Sequence, residues 1–66
     1  MQIVVNGDAR EVAEGTSVAR LIELLQLPPR FLAVERNLEI VPREQHAECF
    51  LKEGDRLEIV TLVGGG

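Results

Sequence analysis

A chain of 66 residues holds one domain at most, and its 45% apolar content is too high for a disordered segment. Eleven acidic residues against seven basic ones give a formal charge of −4. Lys52 is the only lysine and the six arginines are scattered, so no nucleic-acid partner is expected, since binding phosphates calls for basic patches. A protein partner with a basic docking surface suits that balance better.

The elements follow in chain order. "MQIVVN" reads as a β-strand, with Met1, Ile3 and Val5 on one face and Gln2, Val4 and Asn6 on the other. Asn6-Gly7 is a hairpin signal, because both residues tolerate positive φ. A weaker second strand is expected over 9–13. Thr16 or Ser17 can cap a helix whose apolar stripe is Val18, Leu21, Ile22 and Leu25. Pro28 disfavours helical geometry in the residue before it, so the helix should stop near Gln26 or Leu27.

"RFLAVERN" resumes a strand pattern that turns at Asn37, and "LEIV" is a short strand stopped by Pro42. "PREQHAECF" reads as a short helical turn with Pro42 at or near its first position, "KEGD" as a turn, and "RLEIVTLV" as the last strand. Strands and helices do not alternate strictly, so the fold class is α+β: one helix covering one face of a mixed sheet of four to five strands. The first and last strands are expected side by side at its centre.

In the last strand Glu58 should face solvent. Leu57 and Ile59 then face the core, and Val60 and Leu62 share the outer side with Glu58. With Val4 on the neighbouring strand they would form an exposed apolar patch near the C-terminal end. Such a patch either marks a partner site or is a set of ordinary exposed or loop-covered side chains.

Cys49 is the only cysteine, so no internal disulfide is possible, and a lone thiol suits a reducing compartment. It is expected to act as a small buried hydrophobe. His46 has no second histidine or cysteine at ligand spacing, so no metal is expected, and it is placed on the surface of the short helix. The glutamates read as solvated charge, Asn37 and Asp55 as turn residues, and Arg43 as a partner contact or a turn cap. The start lacks the layout of a signal peptide and no apolar run reaches membrane-spanning length, so the chain is expected to be cytoplasmic, without membrane contact.

The chain finishes on Gly64, Gly65 and Gly66. A glycine end alone reads as a frayed terminus. It stands here with "MQIVVNG", with "IVPREQ" at Ile40–Gln45 and with "EGDRLEIVTLVGGG", in order and at matching separations. Over its whole length the chain resembles the ThiS family, small sulfur carrier proteins of thiamine biosynthesis with a ubiquitin-like β-grasp fold. It departs from the family pattern at His46, where an aromatic is common, at the third glycine, Gly64, and in the more charged "AVERN".

The resemblance implies a β-grasp domain over 1–63 and a flexible glycine tail over 64–66. It implies a protein co-substrate rather than an enzyme, with no bound cofactor. A partner adenylating enzyme would use ATP to convert the Gly66 carboxylate into an acyl-adenylate. A sulfur donor protein would supply persulfide sulfur to make a thiocarboxylate, which is delivered to thiazole synthase. Val4, Val60, Leu62, Gly64 and Gly65 would meet the partners. The chemistry is coherent: a free α-carboxylate, with a pKa of about 3.3–3.7, is ionised at neutral pH and needs a leaving group before it can accept a nucleophile. Three extended glycines reach about 10 Å and have no side chains to obstruct entry. Two alternatives remain at this stage. One is a carrier for another pathway, of the molybdopterin synthase small-subunit type. The other is a ubiquitin-like interaction module with an inert tail, binding through the Val4, Val60 and Leu62 face.

Overall fold

The computed structural model describes residues 1–28 and 30–62. Strands β1 (Gln2–Val5) and β2 (Asp8–Glu11) pair antiparallel, with Val5 opposite Asp8. Asn6 and Gly7 between them have φ of 50° and 87°, the left-handed geometry that a two-residue hairpin turn requires. β2 begins one residue before the expected Ala9 and ends at Glu11. After it, Val12 donates its N–H to the carbonyl of Met1 at 2.9 Å and buries its side chain.

Helix α1 (Val18–Leu24) starts at Ser17, whose Oγ accepts the Arg20 N–H at 3.1 Å. Thr16 is instead buried, with its hydroxyl donating to the carbonyl of Ala13. The N–H groups of Val18 and Ala19 donate to the carbonyls of Cys49 and His46, so a distant segment completes the helix start. The helix ends slightly earlier than Pro28 alone suggests. Gln26 turns left-handed at φ 58°, its N–H donates to the carbonyl of Glu23, and Leu27 N–H donates to that of Ile22. That pair of bonds is a Schellman closure.

β3 (Leu32–Arg36) and β4 (Glu39–Ile40) form a second hairpin, followed by a 3-10 turn over Arg43–Gln45 and by β5 (Arg56–Thr61). The sheet runs β2-β1-β5-β3-β4, with β1 and β5 parallel and the other pairs antiparallel. This is the expected mixed β-grasp sheet, with the last strand at its centre beside the first. Ile3, Val5, Val34, Leu57 and Ile59 point inward and meet Val18, Leu21 and Ile22 of the helix. Each such side chain contributes about 1.5–3 kcal/mol by leaving water.

Two placements here, those of His46 and Cys49, differ from expectation. His46 is buried rather than on the surface, with its Nε2 at 3.1 Å from the carbonyl of Val41. The turn folds under itself so that the ring fills space beside the core and pairs its polar edge with a backbone acceptor. Cys49 is half-buried, with Sγ 3.5 Å from a guanidinium nitrogen of Arg36. Among the described residues no helix is long and apolar enough to cross a membrane, and no group of three or more His, Cys, Asp or Glu is placed to hold a metal ion.

Candidate functional site: the open sheet face and the root of the tail

Alternation along β5 sorts its residues. Leu57 and Ile59 are buried beneath the helix, while Arg56, Glu58 and Val60 emerge on the opposite, uncovered face. Val60 and Leu62 are 54% and 55% exposed, far more than their apolar character favours. Across the strand pair Val60 faces Ala33 of β3. The last described backbone contact is the Leu62 N–H donated to the carbonyl of Phe31, itself exposed and at φ 60°.

Val4 lies on this same face, but at another level. The β1–β5 register sets Val4 against Arg56 and Val5 against Leu57, four residues before Val60 and Thr61. At a rise of about 3.3 Å per residue that offset is about 13 Å. The single patch expected of Val4, Val60 and Leu62 is therefore two apolar spots on one face. β1 simply ends too early in the register to reach the tail root. Gly64, Gly65 and Gly66 lie outside the described residues, as does Val63, and so does the boundary expected between domain and tail.

β5 is held on both sides. Beyond the end of β1, the Asn6 side chain continues the ladder: its Nδ2 donates to the carbonyl of Ile59 at 3.0 Å, and its Oδ1 accepts the Ile59 N–H at 2.8 Å. On the other side Asn37 Oδ1 accepts the Arg56 N–H at 3.0 Å, and the Asn37 N–H donates to the Arg56 carbonyl. Asp55, just before β5, gathers three donors. Lys52 N–H and Arg36 Nε reach its Oδ2 at 2.8 and 2.9 Å, and Asn37 Nδ2 reaches its Oδ1 at 3.1 Å. Burial by itself would raise the Asp55 pKa. The Lys52 N–H, the Asn37 amide and the Arg36 guanidinium outweigh it and hold the carboxyl below its ordinary value. Burial likewise opposes the Arg36 charge, and Asp55 overcomes it, so the Arg36 pKa is raised.

Comparison with known proteins places this architecture. The family model described as "ThiS family" matches residues 3–66. The chain belongs to the ThiS family. It is 36% identical over 66 residues to the sulfur carrier protein ThiS of Escherichia coli, covering 100% of both chains. It is 44% identical over 66 residues to a thiazole synthase of Paramagnetospirillum magneticum, covering 100% of this chain and 20% of that protein. The chain thus spans about a fifth of the length of the thiazole synthases it matches, a second being from Magnetococcus marinus. Among solved structures, the crystal structure of the thiamine biosynthesis protein ThiS from Geobacter metallireducens superposes with a TM-score of 0.85 at 33% identity, covering 100% of both chains.

Within this ThiS-family chain, sequence reading found the outward set of β5 but missed what fixes β5 in place. Asn6 and Asn37 are recognisable as turn residues; that both side chains also clamp β5 depends on register. Asp55 reads as an ordinary turn former, and only the fold brings Arg36 and Asn37 to it. Leu38, 91% exposed at φ 72° beside Asn37, carries no warning in the sequence beyond an apolar residue where hairpins prefer glycine.

Proposed function

We propose that this chain is a sulfur carrier of thiamine biosynthesis, acting as a protein co-substrate. The observation that carries the reading is the end-to-end match to the E. coli sulfur carrier within the ThiS family. The thiazole synthases that contain a matching stretch support the thiamine pathway over other sulfur-transfer pathways.

In this reading the Gly66 carboxylate oxygen attacks the α-phosphate of ATP on a partner adenylating enzyme, and pyrophosphate leaves. A persulfide sulfur from a donor protein attacks the acyl carbon and expels AMP. A second thiol then cleaves the S–S bond and leaves a thiocarboxylate, which gives its sulfur to thiazole synthase. ATP binds the partner, not this chain. The chain supplies position: β5 is clamped by Asn6 and Asn37, and the terminal Gly64, Gly65 and Gly66 have no side chains to obstruct entry to a partner site. Exposed Val60 and Leu62 offer apolar contact at the end of that strand.

The test is intact-mass spectrometry after incubation with the cognate adenylating enzyme, ATP and a persulfide donor. One oxygen should be exchanged for sulfur at Gly66, and deleting Gly66 should abolish the exchange while the domain stays folded. An unmodified tail in the presence of a demonstrably active partner rejects the reading.

A further inference from the structure

The chain has two asparagines, Asn6 and Asn37, and each opens a left-handed hairpin turn. The Asn6 carboxamide grips β5 at Ile59 through both its oxygen and its nitrogen. Asn6 is itself exposed, and the next residue is Gly7. Asparagine is among the thermolabile residues, and a following glycine makes it most so. The glycine has no side chain to shield its backbone nitrogen, which can attack the carboxamide carbon of the residue before it. Here a Cβ built on Gly7 would meet nothing within 4 Å, so the tip is open. Among the described residues no backbone hydrogen bond outside the strands engages the Gly7 N–H.

The second turn differs at one position. Asn37 is followed by Leu38, held at φ 72° where glycine would sit without strain. The leucine is 91% exposed, so packing does little to offset that strain. Its branched side chain crowds the approach of its own backbone nitrogen to the Asn37 carboxamide. That carboxamide serves both Asp55 and the Arg56 N–H.

We propose that Asn6 is a deamidation site, an irreversible release of one β5 clamp, and that Leu38 spares Asn37 the same reaction. Base removes the Gly7 amide proton, the nitrogen attacks the Asn6 Cγ, and ammonia leaves as a cyclic imide closes. Water opens the imide to aspartate or isoaspartate. Either product lacks Nδ2, so the Ile59 carbonyl loses its donor, and a carboxylate is added close by. Isoaspartate also lengthens the backbone of a two-residue turn that sets the β1–β2 register. In the intact clamp both amide atoms are bonded to Ile59, so Cγ cannot swing towards the Gly7 nitrogen without breaking both bonds. The reaction therefore passes through local openings of the hairpin tip, and deamidation makes such an opening permanent. It needs only water and does not involve the tail.

Peptide mapping by mass spectrometry tests this, with the folded domain held at mildly alkaline pH beside the free peptide VVNGDAR. Asn6 should convert more slowly in the domain than in the peptide. Its rate should rise with urea in step with amide exchange at Ile59, while Asn37 stays intact over the same time. Conversion as fast as in the peptide overturns the proposal, because the clamp would then give no protection. So does an intact Asn6 at urea concentrations where the Ile59 amide exchanges freely. In Leu38→Gly, Asn37 should begin to convert under the same conditions; if it stays intact, the leucine has no guarding role. Asn6→Asp stands in for the aspartate product and should speed exchange at Ile59 about 5- to 30-fold. Unchanged exchange there would show that deamidation does not release the strand.

Discussion

Both hairpins turn on two left-handed residues led by an asparagine: Asn6-Gly7 between β1 and β2, and Asn37-Leu38 between β3 and β4. In both, the asparagine side chain reaches β5, at Ile59 from one side and at Arg56 from the other. The same residue type thus closes the turn and grips the strand that leads to the tail. The hairpins differ at the second position. Gly7 occupies its left-handed well without cost, whereas Leu38 sits there with its whole side chain in water. They differ also in what lies beneath. Asn37 is tied into the Asp55 cluster, while Asn6 works alone.

The sharpest way to break the comparison is at Asp55. Asp55→Asn removes the charge that pairs with Arg36 and one of the two strong acceptors that serve Lys52, Arg36 and Asn37. The loss should be about 2–3 kcal/mol at neutral pH, measured by urea unfolding. The second hairpin should loosen more than the first, which amide exchange at Asn37 and Asn6 would compare. Acid should mimic the substitution. The folded pKa of Asp55 lies below its ordinary 3.8. Its contribution is therefore complete well above that value and is lost as the pH falls through 3.8 towards the folded pKa. The stability gap between wild type and Asp55→Asn should close over that window.

Asn6→Ala tests the lone clamp. It strips Ile59 of a donor and an acceptor that the ladder cannot replace, because β1 has ended. A cost of about 1–2 kcal/mol is expected in the same unfolding measurement. Exchange should rise at Ile59, with Arg56 less affected. Equal loosening at both positions would mean that β5 is held as one body rather than by two separate clamps.

How much of this could be read beforehand follows from the range of the interactions. The alternation of Leu57, Glu58 and Ile59 is local, so the buried and open faces of β5 were legible, as was the α+β mixed sheet with one helix. The Asn-Gly hairpin was legible for the same reason. Register is not local. Nothing in "MQIVV" says that Val4 falls beside Arg56 rather than beside Val60, and so the expected patch divided in two. Asp55 and Arg36 are 19 residues apart, and Asn6 and Ile59 are 53, so their contacts exist only once the sheet is assembled. His46 was misplaced because a polar ring in a charged stretch suggests solvent. Its burial depends on one carbonyl, that of Val41, which the sequence cannot aim.

The smallest effect is also the most direct measure of the difference between the hairpins: exchanging their second residues. Gly7→Leu forces a side chain into φ 87°, and a Cβ built there meets nothing within 4 Å, so the Cβ itself adds no clash. The cost is conformational, about 1 kcal/mol. Leu38→Gly should return a similar amount, offset in part by the extra freedom glycine gives the unfolded chain. Gly7 and Leu38 line one shallow depression, so the departure of the double exchange from the sum of the single variants in thermal unfolding measures their coupling across it. If Leu38→Gly instead destabilised the domain, the leucine would be packing against something within the fold, and its exposure would carry no functional meaning. If it stabilises the domain, the chain keeps a costly residue at an exposed tip that the fold itself does not use.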